Sequence, residues 1–413
     1  MANTSSTILP PDPKQYAMEC AFRQKEQAVK TWEELNLIAE PSYAEEHTAM
    51  YVDQKVQALG LEVLCLPNSY TRVVRVTGTG KGKFMGRLAY KVDLDALSYK
   101  QKDVSIVYRH GCFHSGHLSI AMATMENLCA LRPFFNGEVI YIFQSAEEAV
   151  HSGANELIQS ELFQSLQIDR VVAMHASPEL LYSQIGIREG HAQAGIDVLT
   201  FQIVADRSAN PSRHVARPQA GANPIWGAIK LVMQLRFAIA ETADPVQEVL
   251  FNVVQIGSGN YGMDNVNVLP NECTVIVNFR FFDMSFRQII EEKINLMTEA
   301  MEKEYGGRLH FNVTTQHGTR PVYNDPTLTG KIRNYGVDLL GSDAVLDVPV
   351  RMGGDDLGLY SQLLPATMIR LGTGNPAKGI ITDLHNENFT VDTDCFVTGI
   401  SMMTYVVLKE MGI

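Results

Sequence analysis

Apolar residues return every three to four positions over 16–37 and again over 45–59, which lays one apolar stripe along each of two helices, and Gly60 closes the second. The period then shortens. Segments 61–66 and 71–77 read as strands, and Gly78-Thr-Gly-Lys-Gly82, ahead of a further strand at 86–92, reads as a hairpin connection. That glycine run lacks the Lys-Ser/Thr ending of a phosphate loop. Strand 86–92 delivers Asp93-Leu-Asp95 at its end, 118–131 is a helix, 138–143 is a strand ending in Gln144-Ser-Ala-Glu147-Glu148, and 171–174 is a strand ending in His175. Such alternation predicts an α/β architecture with a mostly parallel sheet covered on both faces, whose ligand sites gather beyond the carboxyl ends of the strands.

From about residue 195 the order changes to strand 196–205, helix 226–242, strand 248–257, strand 273–282, helix 286–305 and strand 308–315. This βαββαβ succession is that of a small ferredoxin-like domain. The earlier pattern resumes with a strand at 366–371 and a closing helix at 396–410. The small domain, residues 195–316, is therefore expected as an insertion between the two parts, 1–194 and 317–413, of a larger catalytic domain. A length of 413 residues, more than one core usually serves, agrees with two domains.

Composition narrows the partners. A net charge of −12 argues against nucleic acid or an anionic membrane. No apolar run reaches membrane-spanning length, and the start, Met1-Ala-Asn-Thr-Ser-Ser-Thr7, lacks a basic region ahead of an apolar one, so a cytoplasmic enzyme is expected. The six cysteines are scattered without a Cys-x-x-Cys pair and read as thiols. Five are most simply buried apolar residues.

Cys112 differs because Arg109-His-Gly-Cys-Phe-His-Ser-Gly-His117 puts three imidazoles beside it, and Cys112 and His114 are spaced to grip one divalent cation, zinc or similar. Taken singly, a loop histidine or a solvated Glu-Glu pair needs no such role. Together, Cys112, His114, Glu148, His175 and His385 offer five donors, one more than a single tetrahedral zinc site uses, and fit two metals that activate a water. Glu147, adjacent to a donor but outside the set, is placed to be the general base.

These segments resemble the metallopeptidases of peptidase family M20, most closely its amidohydrolase branch of hippurate hydrolases, auxin-conjugate hydrolases and N-acyl-amino-acid deacylases. Asp93-Leu-Asp95-Ala-Leu is similar to the family's D-M-D-A-L, 109–117 to M-H-A-C-G-H-D-A-H, Phe143-Gln-Ser-Ala-Glu-Glu148 to F-Q-P-A-E-E, Met174-His175 to G-L-H, and Leu384-His385 to a final L-H. The resemblance implies Cys112, His114, Glu148, His175 and His385 as ligands of a two-metal centre holding zinc or manganese, with cobalt or nickel as alternatives. It implies Glu147 as the base, and Asp93, Asp95 and Ser115 as neighbours that orient the ligands. It further implies that the inserted domain is a lid through which the chain forms a homodimer. His214 would polarise the scissile carbonyl in a neighbouring site, and Asn267 and Arg280 would hold the substrate's carboxylate.

The sequence departs from the family pattern at Phe113 (usually Gly), Ser115 (usually Asp), Asn36 (an early His), Ser98, Gln101, Ser212, Arg213 and Asp355. The expected activity is hydrolysis of the amide bond of an N-acyl amino acid. The rival within enzymes is a dipeptidase or carboxypeptidase in which Asp355 or Asp356 meets a free amino terminus. The rival of another class is a non-catalytic relative that binds a metal or an acylated amino acid.

Overall fold

The computed structural model describes residues 10–246, 248–258 and 266–413; the polar start over residues 1–7 lies outside them. The chain separates into two units, one of residues 1–192, 322–350 and 356–413, the other of residues 193–321 and 351–355. The short return segment 351–355 thus goes with the inserted unit.

The larger unit is built on an eight-stranded sheet in the order Val63–Cys65, Arg72–Thr77, Glu138–Gln144, Arg87–Asp93, Arg170–Leu181, Ala366–Gly374, Ile185–Ile187, Val345–Asp347. Its four central strands, from Glu138–Gln144 to Ala366–Gly374, are mutually parallel. Antiparallel pairs flank them on both sides. Alternate residues of one strand enter separate cores. Leu88, Tyr90, Val139 and Tyr141 pack with helices Pro13–Leu37, His114–Ala130 and Cys395–Glu410, whereas Ala89, Ile140 and Ile142 pack with Ala154, Leu157 and Tyr360. A strand buried on both faces has no polar side, which is why these segments read as nearly continuous apolar runs.

Three expectations from the sequence are corrected. The glycine run 78–82 is not a hairpin turn: Glu138–Gln144 lies between Arg72–Thr77 and Arg87–Asp93, pairing antiparallel with the first and parallel with the second. A local turn signal cannot report a strand that arrives later in the chain. The strand containing His175 does not stop there but continues to Leu181, because Ala366–Gly374 pairs alongside it. The helix expected at 118–131 starts at His114, so His114 and His117 stand on its first turn.

The smaller unit has a four-stranded antiparallel sheet in the order Leu250–Gly257, Glu272–Phe281, Gly195–Ala205, Leu309–His317. Helices Pro224–Thr242 and Met284–Glu304 share one core with the sheet, Leu231, Leu235, Ile290 and Ile294 meeting Leu199, Phe201, Val275 and Val277. The chain order is the βαββαβ of the sequence reading.

Candidate metal centre

Register explains why residues far apart in the chain meet in the larger unit. Asp93 is level with Gln144 on one neighbouring strand, and Lys91 is level with Ala173 on the other, which brings His175 to the row where both shorter strands end. The turn before helix His114–Ala130 opens at the same edge, and the backbone N–H of His385 donates to the carbonyl of Gly111 at 3.0 Å, tying the last donor loop to it.

Three sets of donor atoms result, each within 4.8 Å of one another: Cys112, His114 and His175; Cys112, Glu148 and His385; His114, Glu147 and Glu148. All five donors expected from the sequence are in these sets. Cys112 belongs to two of them, which gives two overlapping triads with a shared thiol. Glu147 Oε2 lies 3.9 Å from His114 Nε2.

The orientation of each donor has a visible cause. His114 Nδ1 bonds to the backbone carbonyl of Asp95 at 2.9 Å and lies 3.4 Å from its Oδ1, so Nε2 is turned towards the cluster, where it is buried with no hydrogen-bond partner among the described residues. Glu148 Oε1 is likewise buried and unpartnered. Asp95 Oδ2 accepts from the backbone N–H of Glu148 at 2.9 Å and from Ser42 Oγ at 2.7 Å. One buried aspartate thereby positions two donor residues, His114 through its backbone carbonyl and Glu148 through its carboxylate. Ser115 and Asn36, two departures from the family pattern, are partners: Ser115 Oγ donates to Asn36 Oδ1 at 2.9 Å, a neutral pair in place of an acid and an imidazole.

The electrostatics fit divalent cations. Burial pushes the Cys112 thiol well up, and the carboxylates of Glu148, Glu147 and Asp95 add to it, so a thiolate here requires a cation beside it. Burial alone would lower His114, but the Asp95 hydrogen bond and the carboxylates of Asp93, Asp95 and Glu148 outweigh it and raise the imidazole to about 10. The pocket thus selects for positive charge. Orphaned donor atoms, a thiol and clustered carboxylates form a ligand set that a divalent cation would satisfy.

Three non-glycine residues of the site's loops have left-handed backbones: Phe113 (φ 65°), Ala146 (φ 58°) and His385 (φ 61°). Each costs about 1–2 kcal/mol relative to glycine. At Phe113 the cost is offset, since its ring is fully buried against Trp32, His117 and Phe396 and such burial contributes about 1.5–3 kcal/mol. The ring fits only because residue 116 is glycine: a Cβ there would lie 2.2 Å from it.

At Ala146 the support comes from Glu45, a residue the sequence reading passed over. Its buried carboxyl accepts from the backbone N–H of Ala146 at 2.6 Å and from Ser145 Oγ at 2.8 Å. Burial, reinforced by the nearby Asp95, raises Glu45 from 4.5 to about 7. The folded protein therefore keeps this proton up to about pH 7 while the unfolded chain releases it near 4.5. Stability should fall as pH rises across that window, by about 3 kcal/mol at 1.36 kcal/mol per pH unit. Melting curves of the wild type and Glu45→Gln between pH 4.5 and 7.5 check this: the two should converge at the acid end, with the variant gaining relative stability as pH rises.

The other missed group is Lys91, buried in the central strand Arg87–Asp93. Its Nζ lies 2.8 Å from Asp93 Oδ1 and 2.6 Å from Asp356 Oδ1, and Asp356 also accepts from Gln144 Nε2. Asp356 is thus paired with a buried lysine. A lysine inside an otherwise apolar strand, just ahead of two aspartates, was the available signal.

His214, Asn267 and Arg280 belong to the smaller unit. His214 and Asn267 lie on paired backbone, with Val215 N–H donating to the Asn267 carbonyl at 3.1 Å, and both side chains are exposed. His214 Nδ1 accepts from the Ala216 N–H at 3.1 Å, which in a neutral ring leaves the proton on Nε2. Arg280 is held flat by Asn278 Oδ1 at 2.8 Å and by the carbonyl of Met352.

A family model described as peptidase family M20/M25/M40 matches residues 89–409. An N-acetyldiaminopimelate deacetylase of Lactobacillus helveticus is 24% identical over 388 residues, covering 92% of this chain and 96% of its own. An N-acetyl-L-cysteine deacetylase of Bacillus subtilis is 24% identical over 370 residues, covering 88% and 83%. The fold is shared with a crystal structure from Bacillus subtilis described as a dinuclear metal-binding peptidase from the M20 family, at a TM-score of 0.74 and 20% identity, over 94% of this chain and 99% of that one.

Proposed function

The chain belongs to peptidase family M20/M25/M40 and is a hydrolase of carbon–nitrogen bonds, and from that premise we propose that it deacylates small N-acyl amino acids at a two-metal centre formed by Cys112, His114, Glu148, His175 and His385. The observation that carries the reading is the pair of donor triads sharing Cys112, with Glu147 at their margin. A pair of divalent cations held there would supply Lewis acidity. Glu147 takes the proton of the attacking water on its carboxylate and returns it to the nitrogen of the leaving amine. Across the proposed dimer, His214 of one chain would donate from Nε2 to the oxygen that gains charge in the other chain's site, the tautomer its Nδ1 contact favours. Asn267 and the Arg280 guanidinium take the carboxylate of the amino acid, a planar acceptor suited to a planar fork.

The thiolate and three imidazoles favour zinc, with manganese, cobalt and nickel as competitors. Sharing of Cys112 gives a stoichiometric expectation. Elemental analysis should find two ions per wild-type chain, about one in His385→Ala, and fewer than one in Cys112→Ala. Equal loss in the two variants would break the shared-thiol assignment. Turnover itself is tested with a panel of N-acetyl amino acids and dipeptides before and after chelation. Release of acetate that chelator stops and metal restores supports the reading, whereas cleavage of dipeptides alone favours the peptidase.

We place the chain in a homodimer formed through the smaller unit. Helix Pro224–Thr242 exposes Trp226, Ile229, Met233 and Phe237 along one stripe, and the neighbouring edge strand Leu250–Gly257 exposes Val254 and Ile256. A contiguous apolar stripe beside an open strand edge is a self-association surface. Light scattering should give the mass of two chains for the wild type and of one for the Trp226→Glu/Phe237→Glu double variant. A monomeric wild type removes the proposal. No helix among the described residues is long and apolar enough to cross a membrane. All six cysteines are free thiols, which supports a reducing, cytoplasmic location.

A further inference from the structure

Glu45 stands at the N-cap position of helix Glu46–Ala58, where a polar side chain ordinarily accepts from its own helix's first amides. It makes no such bond. Glu40 does that work instead, accepting from the backbone N–H of His47 at 3.1 Å and of Thr48 at 3.0 Å. The Glu45 carboxyl is turned to a loop about a hundred residues away in sequence, where it takes the Ala146 amide and the Ser145 hydroxyl. Thr71 Oγ1 accepts the Ser145 amide at 3.2 Å, and the Ala146 carbonyl accepts from Gly153 at 3.3 Å. Past Glu147, the next amide, that of Glu148, is held by Asp95. Two fully buried carboxyl groups therefore hold the backbone on either side of Glu147, and the one on the N-terminal side fastens a residue in the left-handed conformation.

We infer that Glu45 is a positioning residue for the reaction, fixing where the Glu147 carboxylate stands by holding Ala146 in a conformation that alanine does not keep unaided. The inference rests on the reading of Glu147 as the base. Without the Glu45 bond Ala146 relaxes towards ordinary backbone angles, and rotation one residue before Glu147 swings its side chain away from the position 3.9 Å from His114. Glutamine preserves the arrangement, since its amide oxygen accepts the Ala146 N–H and its amino group donates to Ser145 Oγ. Alanine preserves neither bond.

The test compares full-length zinc-loaded wild type with Glu45→Ala and Glu45→Gln, using N-acetylated amino acids as substrates and following amide exchange across residues 144–149. Expected for Glu45→Ala is a fall in kcat of about 10- to 100-fold, the scale of a reacting group displaced by an ångström, with KM within about threefold and both metals retained. Exchange of that segment should quicken by about tenfold or more. Glu45→Gln should stay close to wild type in all of these. Glu45→Ala with unchanged kcat and exchange overturns the inference, as does Glu45→Gln falling as far as Glu45→Ala. If the alanine variant does not fold, Ser145→Ala, which removes one of the two bonds, is expected to show a smaller loss in kcat with the same constancy of KM, and no loss in kcat is a refutation. A wild type that hydrolyses no N-acyl amino acid sinks the proposed reaction alone. The exchange measurement still decides whether Glu45 holds the loop.

Discussion

Replacing Glu147 with glutamine is expected to lower kcat about 10³-fold, the scale at which a positioned proton acceptor contributes, while both metals stay bound. Glutamine matches the volume of the side chain and can keep contact with His114, so the geometry survives and the basicity does not. KM should stay within about threefold, because the group acts as the water loses its proton and contributes little to holding substrate. Metal content measured on the same preparation separates this outcome from collapse of the centre. A variant that keeps more than a tenth of wild-type kcat with both metals present assigns the base elsewhere.

The second large effect is on stability. Lys91 is buried between Asp93 and Asp356 on a strand covered on both faces, so Lys91→Met leaves two carboxylates facing each other with the central cation gone. Removing one partner of a buried ion pair costs about 3–5 kcal/mol, mostly as the penalty of stranding the other charge. Denaturant unfolding followed in the larger unit should show a loss of that order at pH 8. The loss should shrink at pH 5, where the stranded carboxyls can take up protons. A loss independent of pH would mean that lost packing, not stranded charge, dominates. The triple replacement of Lys91, Asp93 and Asp356 by apolar residues of similar volume should be milder than the single one.

What the sequence made readable follows the range of the physics involved. The donors Cys112, His114, Glu148, His175 and His385 sit in short local motifs, and parallel strands bring such motifs to one edge whatever the details of the loops. The βαββαβ unit was equally accessible, because periodicity is local. Sheet order was not: whether Arg72–Thr77 neighbours Arg87–Asp93 depends on where Glu138–Gln144 inserts, and no turn residue encodes that. The Glu45 clamp was out of reach for a related reason: its carboxyl is explained only by Ser145 and Ala146, remote in the chain, and from sequence alone it reads as surface charge on a helix. Lys91 was half legible, since a lysine in an apolar strand two residues before Asp93 is a local signal, whereas its second partner, Asp356, is far away in the chain.

The fit of the Phe113 ring over Gly116 constrains in which order the two positions can be exchanged. The family motif has glycine at the first of these positions and alanine at the second, the reverse size order. Enlarging 113 while a methyl group remained at 116 would force the two into the same space, whereas trimming 116 first leaves only a small void. Of the two orders of exchange, one passes through a jammed intermediate and the other through a tolerable one. A laboratory variant that restored alanine at 116 while the Phe113 ring remained would meet the same clash.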